Sequence, residues 1–238
     1  VPIHTITLPL AKTVLKFRPF LVKEEKILLM AAEADDETSI KDAIKQIANN
    51  CCLTEGVDVE KMSLVDLEYF FLNLRARSIG EVSELNYKCN NEVGTAETPH
   101  TCNNTVTMRV NVLEILPDIV PGHTPKIQLT PKLGVMMKYP SLSMVEISTE
   151  DTPDTDAVFK LICSSIDYIY DEKEIYYAKD VSSEEIAEFV DSLNKEQVLK
   201  IHDFFVTMPR MRTTVHFECN KCKYTEDIKL EGIQNFFG

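Results

Sequence analysis

The chain has 238 residues, 44% of them hydrophobic, with only 7 Gly and 11 Pro. That is enough apolar material for one large domain or two small ones, and it excludes a collagen-like, low-complexity or wholly disordered chain. The net charge of −13 speaks against free DNA or RNA as a partner.

The N-terminal segment reads as two short strands, Thr5 to Leu8 and Val14 to Phe17, broken by Arg18-Pro19-Phe20. A helix is expected over Val22 to Ala34, with Ile27, Leu28, Met30 and Ala31 toward the core and Asp35-Asp36-Glu37 closing it. Ser39 is the expected N-cap of a second helix carrying Ile40, Ile44, Ile47 and Ala48. Ser63 and Asp66 mark a third start, with an apolar stripe of Leu64, Leu67, Phe70, Phe71 and Leu74. Arg75 and Arg77 then sit at the negative end of that helix dipole, and Gly80 is the expected stop.

The pattern next changes to period two. Val82, Leu85 and Tyr87 lead into Cys89, and Val106, Met108, Val110 and Val112 alternate with polar residues after Cys102. The twelve residues between the two cysteines read as one long hairpin loop. Short strands are expected near Lys126–Leu129 and Gly134–Tyr139.

The following region should be helical. Thr152 and Pro153 look like a helix start, with Val158, Leu161, Ile162, Ser165, Ile166 and Ile169 on one face. Lys173 to Ala178 fits a short strand. Ser182 with Glu185 reads as a capping box, Asn194 with Gln197 starts the next helix, and Pro209 ends it. Thr214 to Glu218 and Thr225 to Leu230 alternate again, on either side of Cys219-Asn220-Lys221-Cys222.

The expected fold class is therefore α+β: a helical body with a small zinc-ribbon-like antiparallel β unit. The expected division is a mainly helical region over 1–80, a β-rich unit built from 81–140 and 213–238, and an acidic helical insertion over 141–212. Between Glu146 and Glu196 there are 15 Asp and Glu against 4 Lys, so the negative field is concentrated in one stretch. It reads as a solvated surface or as a dock for a basic partner.

The chain carries seven cysteines, an odd number that does not suit a secreted disulfide framework. Cys51, Cys52 and Cys163 lie in apolar helical patterns and read as reduced thiols. Cys89, Cys102, Cys219 and Cys222 are different, because strands flank them and two hairpin tips could present four thiolates to one tetrahedral zinc. His100 and His216 are the reserve ligands. Four reduced thiols or redox pairs are the alternatives, although a redox C-x-x-C usually opens a helix. Iron could occupy the same sulfurs.

No apolar run approaches the ~20 residues of a membrane span. Val1-Pro2-Ile3-His4 lacks the features of a secretory signal. A soluble protein in cytosol-like conditions, with no membrane partner, is expected. The sequence has no G-x-x-x-x-G-K-[ST] loop, G-x-S-x-G elbow or H-E-x-x-H pair. No catalytic residue and no small-molecule substrate are assigned.

Three stretches carry a resemblance: Phe17 to Met30 (F-R-P-F-L-V-K-E-E-K-I-L-L-M), Leu67 to Ser78 (L-E-Y-F-F-L-N-L-R-A-R-S), and the terminal C-x-x-C with Leu230 to Phe237 (L-E-G-I-Q-N-F-F). This pattern resembles the baseplate hub protein family of T-even-like contractile-tailed bacteriophages. The resemblance covers most of residues 17–90 and the C-terminal fifth. It implies a non-enzymatic virion subunit of the tail baseplate that passes through the host cytoplasm during assembly. Its partners would be other baseplate hub or wedge proteins. It also implies cysteine clusters after the Arg-Ala-Arg-Ser helix and near the C-terminus, which Cys89 and Cys219-Cys222 match. Cys102 departs from the family's close spacing. Arg18, Phe20, Arg75 and Arg77 are the candidate partner-binding residues. An assembly factor that leaves the finished particle, and a cytosolic zinc-dependent enzyme, are the rival readings.

Overall fold

The computed structural model describes residues 1–34, 36–95, 97–145 and 155–232. The chain divides into two compact units. The first is Val1–Val57, Val65–Asp118 and Arg210–Gly238; the second is Asp58–Leu64 and Ile119–Pro209.

The first unit begins with an antiparallel pair, β1 (His4–Thr7) and β2 (Val14–Phe17). Leu15 and Phe17 point inward, and Phe17 meets Phe70 edge-on at 5.4 Å between ring centroids. Three helices follow: α1 (Val22–Ala34), α2 (Glu37–Cys51) and α3 (Leu64–Ser78). Asp36, not Ser39, caps α2. Its carboxylate accepts the Ser39 N–H at 2.8 Å, so the helix starts earlier than expected. The ionised carboxylate of Asp36 outcompetes the Ser39 hydroxyl, which itself donates to Asp36 at 2.5 Å.

Strands β3 (Val82–Lys88) and β6 (Thr105–Asn111) pair in full register, with Tyr87 opposite Val106 and Lys88 opposite Thr105. The segment expected as a loop between them is itself a hairpin, β4 (Glu92–Thr95) with β5 (Thr98–Thr101). Gly94 makes its turn-side register possible: its φ is +109°, and a Cβ there would run into the Thr98 carbonyl and lie 2.9 Å from the His100 ring. A two-residue strand, β7 (Pro117–Asp118), follows.

The second unit opens with β8 (Lys126–Thr130) and β9 (Leu133–Met137), then α4 (Leu142–Val145) and α5 (Thr155–Ser165). The expected start at Thr152 and Pro153 lies outside the described residues. Helix α5 ends at Ser165, and Ile166–Asp171 forms β10 rather than more helix. A register shift between Ile166 and Tyr168 turns Ile166 and Ile169 to the same side, so the strand imitates helical spacing. β11 (Ile175–Tyr177) completes a sheet of order β11-β10-β9-β8. Helices α6 (Ser183–Asp191) and α7 (Lys195–Thr207) both begin with full capping boxes, Ser182 with Glu185 and Asn194 with Gln197. Ile127, Val135, Ile166, Ile186, Val190, Ile201 and Phe204 form the core of this unit.

The chain returns to the first unit through β12 (Arg210–Glu218) and β13 (Thr225–Glu231), with β7 on the other side of β12. Val65, Leu72 and Ala76 of α3 pack with Leu85, Val110, Met211 and Leu230, which ties α3 to the strands that carry the cysteines. The fold is α+β, as expected. The grouping differs in two places. Strands β8 and β9 join β10 and α7 in the second unit instead of the cysteine hairpins, because their apolar faces complete that core. The N-terminal helices share a unit with the cysteine strands.

Candidate metal centre

Alternation along β3, β6, β12 and β13 delivers four sulfurs to one end of the first unit. Cys89 follows β3, Cys102 precedes β6, and Cys219 and Cys222 occupy the turn between β12 and β13. Each turn is tightened by a left-handed residue just after a cysteine, Asn103 (φ 54°) and Lys223 (φ 63°). Below the sulfurs, Phe217 and Met108 are buried, and Tyr87 meets Phe217 edge-on at 4.8 Å.

All four Sγ atoms lie within 4.8 Å of one another. Cys89 Sγ is 3.7 Å from Cys222 Sγ, and Cys102 Sγ is 3.8 Å from Cys219 Sγ. A tetrahedron with metal–sulfur bonds of about 2.3 Å has edges of about 3.8 Å, so these spacings fit a single four-coordinate ion. They are far beyond a disulfide bond, and all four cysteines are free. The set of Cys89, Cys102, Cys219 and Cys222 read from the sequence is thus brought together. The reserve ligands are not part of it. His216 Nδ1 pairs with Asp227 Oδ1 at 2.8 Å, and exposed His100 lies beside Gly94 on the excursion hairpin.

The electrostatics divide the four sulfurs into two kinds. The Cys222 N–H leads in pulling the Cys219 thiol down to about 6, against burial, with help from Lys221 and Asn104. The Tyr224 N–H leads in lowering Cys222, with Asn91 assisting. Burial pushes Cys89 up to about 12. At Cys102 the Asn104 N–H pulls the other way, but burial and the neighbouring Cys222 and Cys219 sulfurs leave it raised. Cys219 is therefore the sulfur most readily ionised and Cys89 the one that holds its proton most firmly, and a cation bound by all four would displace the remaining thiol protons. Four sulfur donors fill a tetrahedral coordination sphere and leave no position for substrate.

Two asparagines escaped the sequence reading. Asn91 Nδ2 donates to Cys222 Sγ at 3.6 Å, and Asn104 Nδ2 donates to Cys219 Sγ at 3.5 Å. Their signal was available as a repeated tripeptide, Cys89-Asn90-Asn91 and Cys102-Asn103-Asn104.

The candidate partner-binding residues are mostly occupied within the first unit. Arg18 reaches Glu24 at 3.1 Å and also donates to the Pro19 and Asn50 carbonyls. Phe20 is buried, and its N–H donates to Ser78 Oγ. Arg75 is only 7% exposed and donates to the Gly80 carbonyl and Ser83 Oγ, with its Nε unpartnered. Arg77 stays exposed beside Glu81 at 3.2 Å.

No helix among the described residues is long and apolar enough to cross a membrane. No curated protein and no solved structure matches the chain. One family does match, over residues 1–238, described as T4 bacteriophage base plate protein. With three sequence stretches and the full-length match in agreement, the chain belongs to the T4 bacteriophage base plate protein family.

Proposed function

We propose that the protein is a non-enzymatic structural subunit of the hub region of a contractile tail baseplate, braced by zinc held on Cys89, Cys102, Cys219 and Cys222. The observation that carries this reading is the convergence of four sulfurs at tetrahedral spacing, in a chain matched along its whole length by a baseplate family. The ion would join the β3–β6 and β12–β13 hairpins at the cysteine end, adding to the core of Leu85, Val110, Met211 and Leu230 that already packs them together.

Contacts to hub or wedge neighbours would use surfaces that internal packing leaves open. Arg77 is one. On α1, Val22 is 80% exposed, Leu29 59% and Met30, which its spacing sets toward the core, 60%, an apolar stripe within the segment that carries the family resemblance. Arg18, Phe20 and Arg75 would act indirectly, by fixing the helices beneath that surface.

Mass spectrometry and metal analysis of purified tail particles test the proposal. The chain should be present with one zinc per copy. A chain absent from finished particles but required for their assembly would make it an assembly factor that uses the same surfaces. A metal with an exchangeable water would instead favour the enzyme reading.

A further inference from the structure

Resting on the reading of the four sulfurs as one metal site, we propose that Asn91 and Asn104 are positioning residues for the sulfur cluster. Their side-chain amides bind its negative charge and link its two halves.

A divalent ion with four thiolates carries a net charge of −2, and Cys89, Cys102 and Cys219 are buried. Such a charge needs fixed donors around it. The two asparagines supply them in matching fashion. Each lies two residues after a cysteine and sends its own N–H to that sulfur, Asn91 to Cys89 and Asn104 to Cys102. The carbonyls cross over: the Asn91 oxygen accepts the Cys102 N–H at 2.9 Å, and the Asn104 oxygen accepts the Cys89 N–H at 2.9 Å. The side chains then cross to the other hairpin, to Cys222 and Cys219 at 3.6 and 3.5 Å. Asn104 Nδ2 also donates to Asn220 Oδ1 at 2.6 Å, which fixes the orientation of its amide.

Backbone turns alone would account for the first two contacts of each asparagine. They do not account for both amides aiming N–H groups at sulfurs of the distant hairpin. Asparagine suits this task because it is short, neutral and a donor. Aspartate has the same shape but would set a carboxylate against a thiolate.

The test uses the full-length protein, Co2+ as probe, and the variants Asn91→Asp and Asn104→Asp. Wild type should show the intense absorption of a tetrahedral four-thiolate cobalt site. Each Asp variant should release Co2+ to a chelator about 10- to 100-fold faster, as expected for lost outer-layer partners. Its sulfur-to-cobalt charge-transfer band should move to longer wavelength, because the sulfur lone pairs lose a proton donor. Asn91→Ala and Asn104→Ala, which add no repulsion, should show the same band shift with a smaller change in rate. Variants with wild-type band and release rate would overturn the inference while leaving the metal site intact. A wild-type protein with no four-thiolate spectrum would overturn both.

Discussion

The sulfur of Cys89 lies 3.7 Å from that of Cys222, 133 residues further along the chain. The main part of the second unit, Ile119–Pro209, is inserted between them in sequence, yet that unit has its own core around Val135, Ile166 and Ile201. Removing the ion should therefore loosen one unit and spare the other. At free metal 1,000 times Kd, an ion held by the four sulfurs would stabilise this unit by about 4 kcal/mol. Chelation should speed hydrogen exchange in β3, β6, β12 and β13 and leave β8, β9 and β10 unchanged. Uniform acceleration across both units would show that they unfold together.

A second prediction concerns Glu24, whose side chain is 0% exposed and lies 3.1 Å from Arg18. Burial pushes its carboxyl up, but the Arg18 hydrogen bond, the Leu21 N–H and nearby positive charge hold it below the ordinary carboxylate range. A depressed carboxyl contributes stability above its unfolded pKa of about 4.3 and loses that contribution as pH falls through the folded value. Glu24→Gln should cost about 3 kcal/mol at pH 7, as for one partner removed from a buried pair. The gap between variant and wild type should close in acid. Urea midpoints at pH 7 and below pH 4 check this, and a gap independent of pH would exclude the ion pair as its source.

What could be read from the sequence follows from how local each signal is. Helices α1 and α3, the two capping boxes and the C-x-x-C turn are set by neighbours within about four residues, so spacing reveals them. β10 was hidden because the shift between Ile166 and Tyr168 gives a strand the spacing of a helix. The fate of Arg75 was hidden too. Its burial depends on Ser83 and Gly80, which reach it only after the chain has turned out of α3. The sulfur set was legible because strands flank every member. The part played by Asn91 and Asn104 was not, since their sulfur partners are 131 and 115 residues away.

Gly134 and Tyr170 give a third prediction. They are paired across β9 and β10, and the Tyr170 ring lies over the glycine while its hydroxyl donates to Gln128 Oε1 at 3.0 Å. A Cβ at position 134 would run into that ring and come within 2.7 Å of the Ile127 carbonyl. Gly134→Ala should destabilise the second unit by about 1–3 kcal/mol, the usual cost of forced overpacking. Tyr170→Ala should relieve part of this, so a double-mutant cycle should return a clear coupling. Simple additivity would mean that the Ile127 carbonyl alone resists the methyl group.

The last prediction concerns pH and His123, which touches the Tyr139 and Phe204 rings in the second unit. Thr207 Oγ1 already donates its proton to the Asp203 carbonyl at 2.7 Å, so it accepts from His123 Nδ1–H at 2.9 Å. Nε2 is then the bare nitrogen and accepts from the Tyr139 hydroxyl at 3.0 Å. Burial lowers the His123 pKa, so the folded unit favours the neutral ring. Its contribution is complete above the unfolded value of about 6.5 and is lost as pH falls through the folded value. Tyr139→Phe removes the donor to Nε2 and should cost about 1 kcal/mol at pH 8. The same change should raise the His123 pKa, because the neutral ring loses its hydrogen bond. Imidazole NMR titration of both proteins measures this. A wild-type midpoint at or above 6.5, unmoved by Tyr139→Phe, would rule out the neutral-ring arrangement.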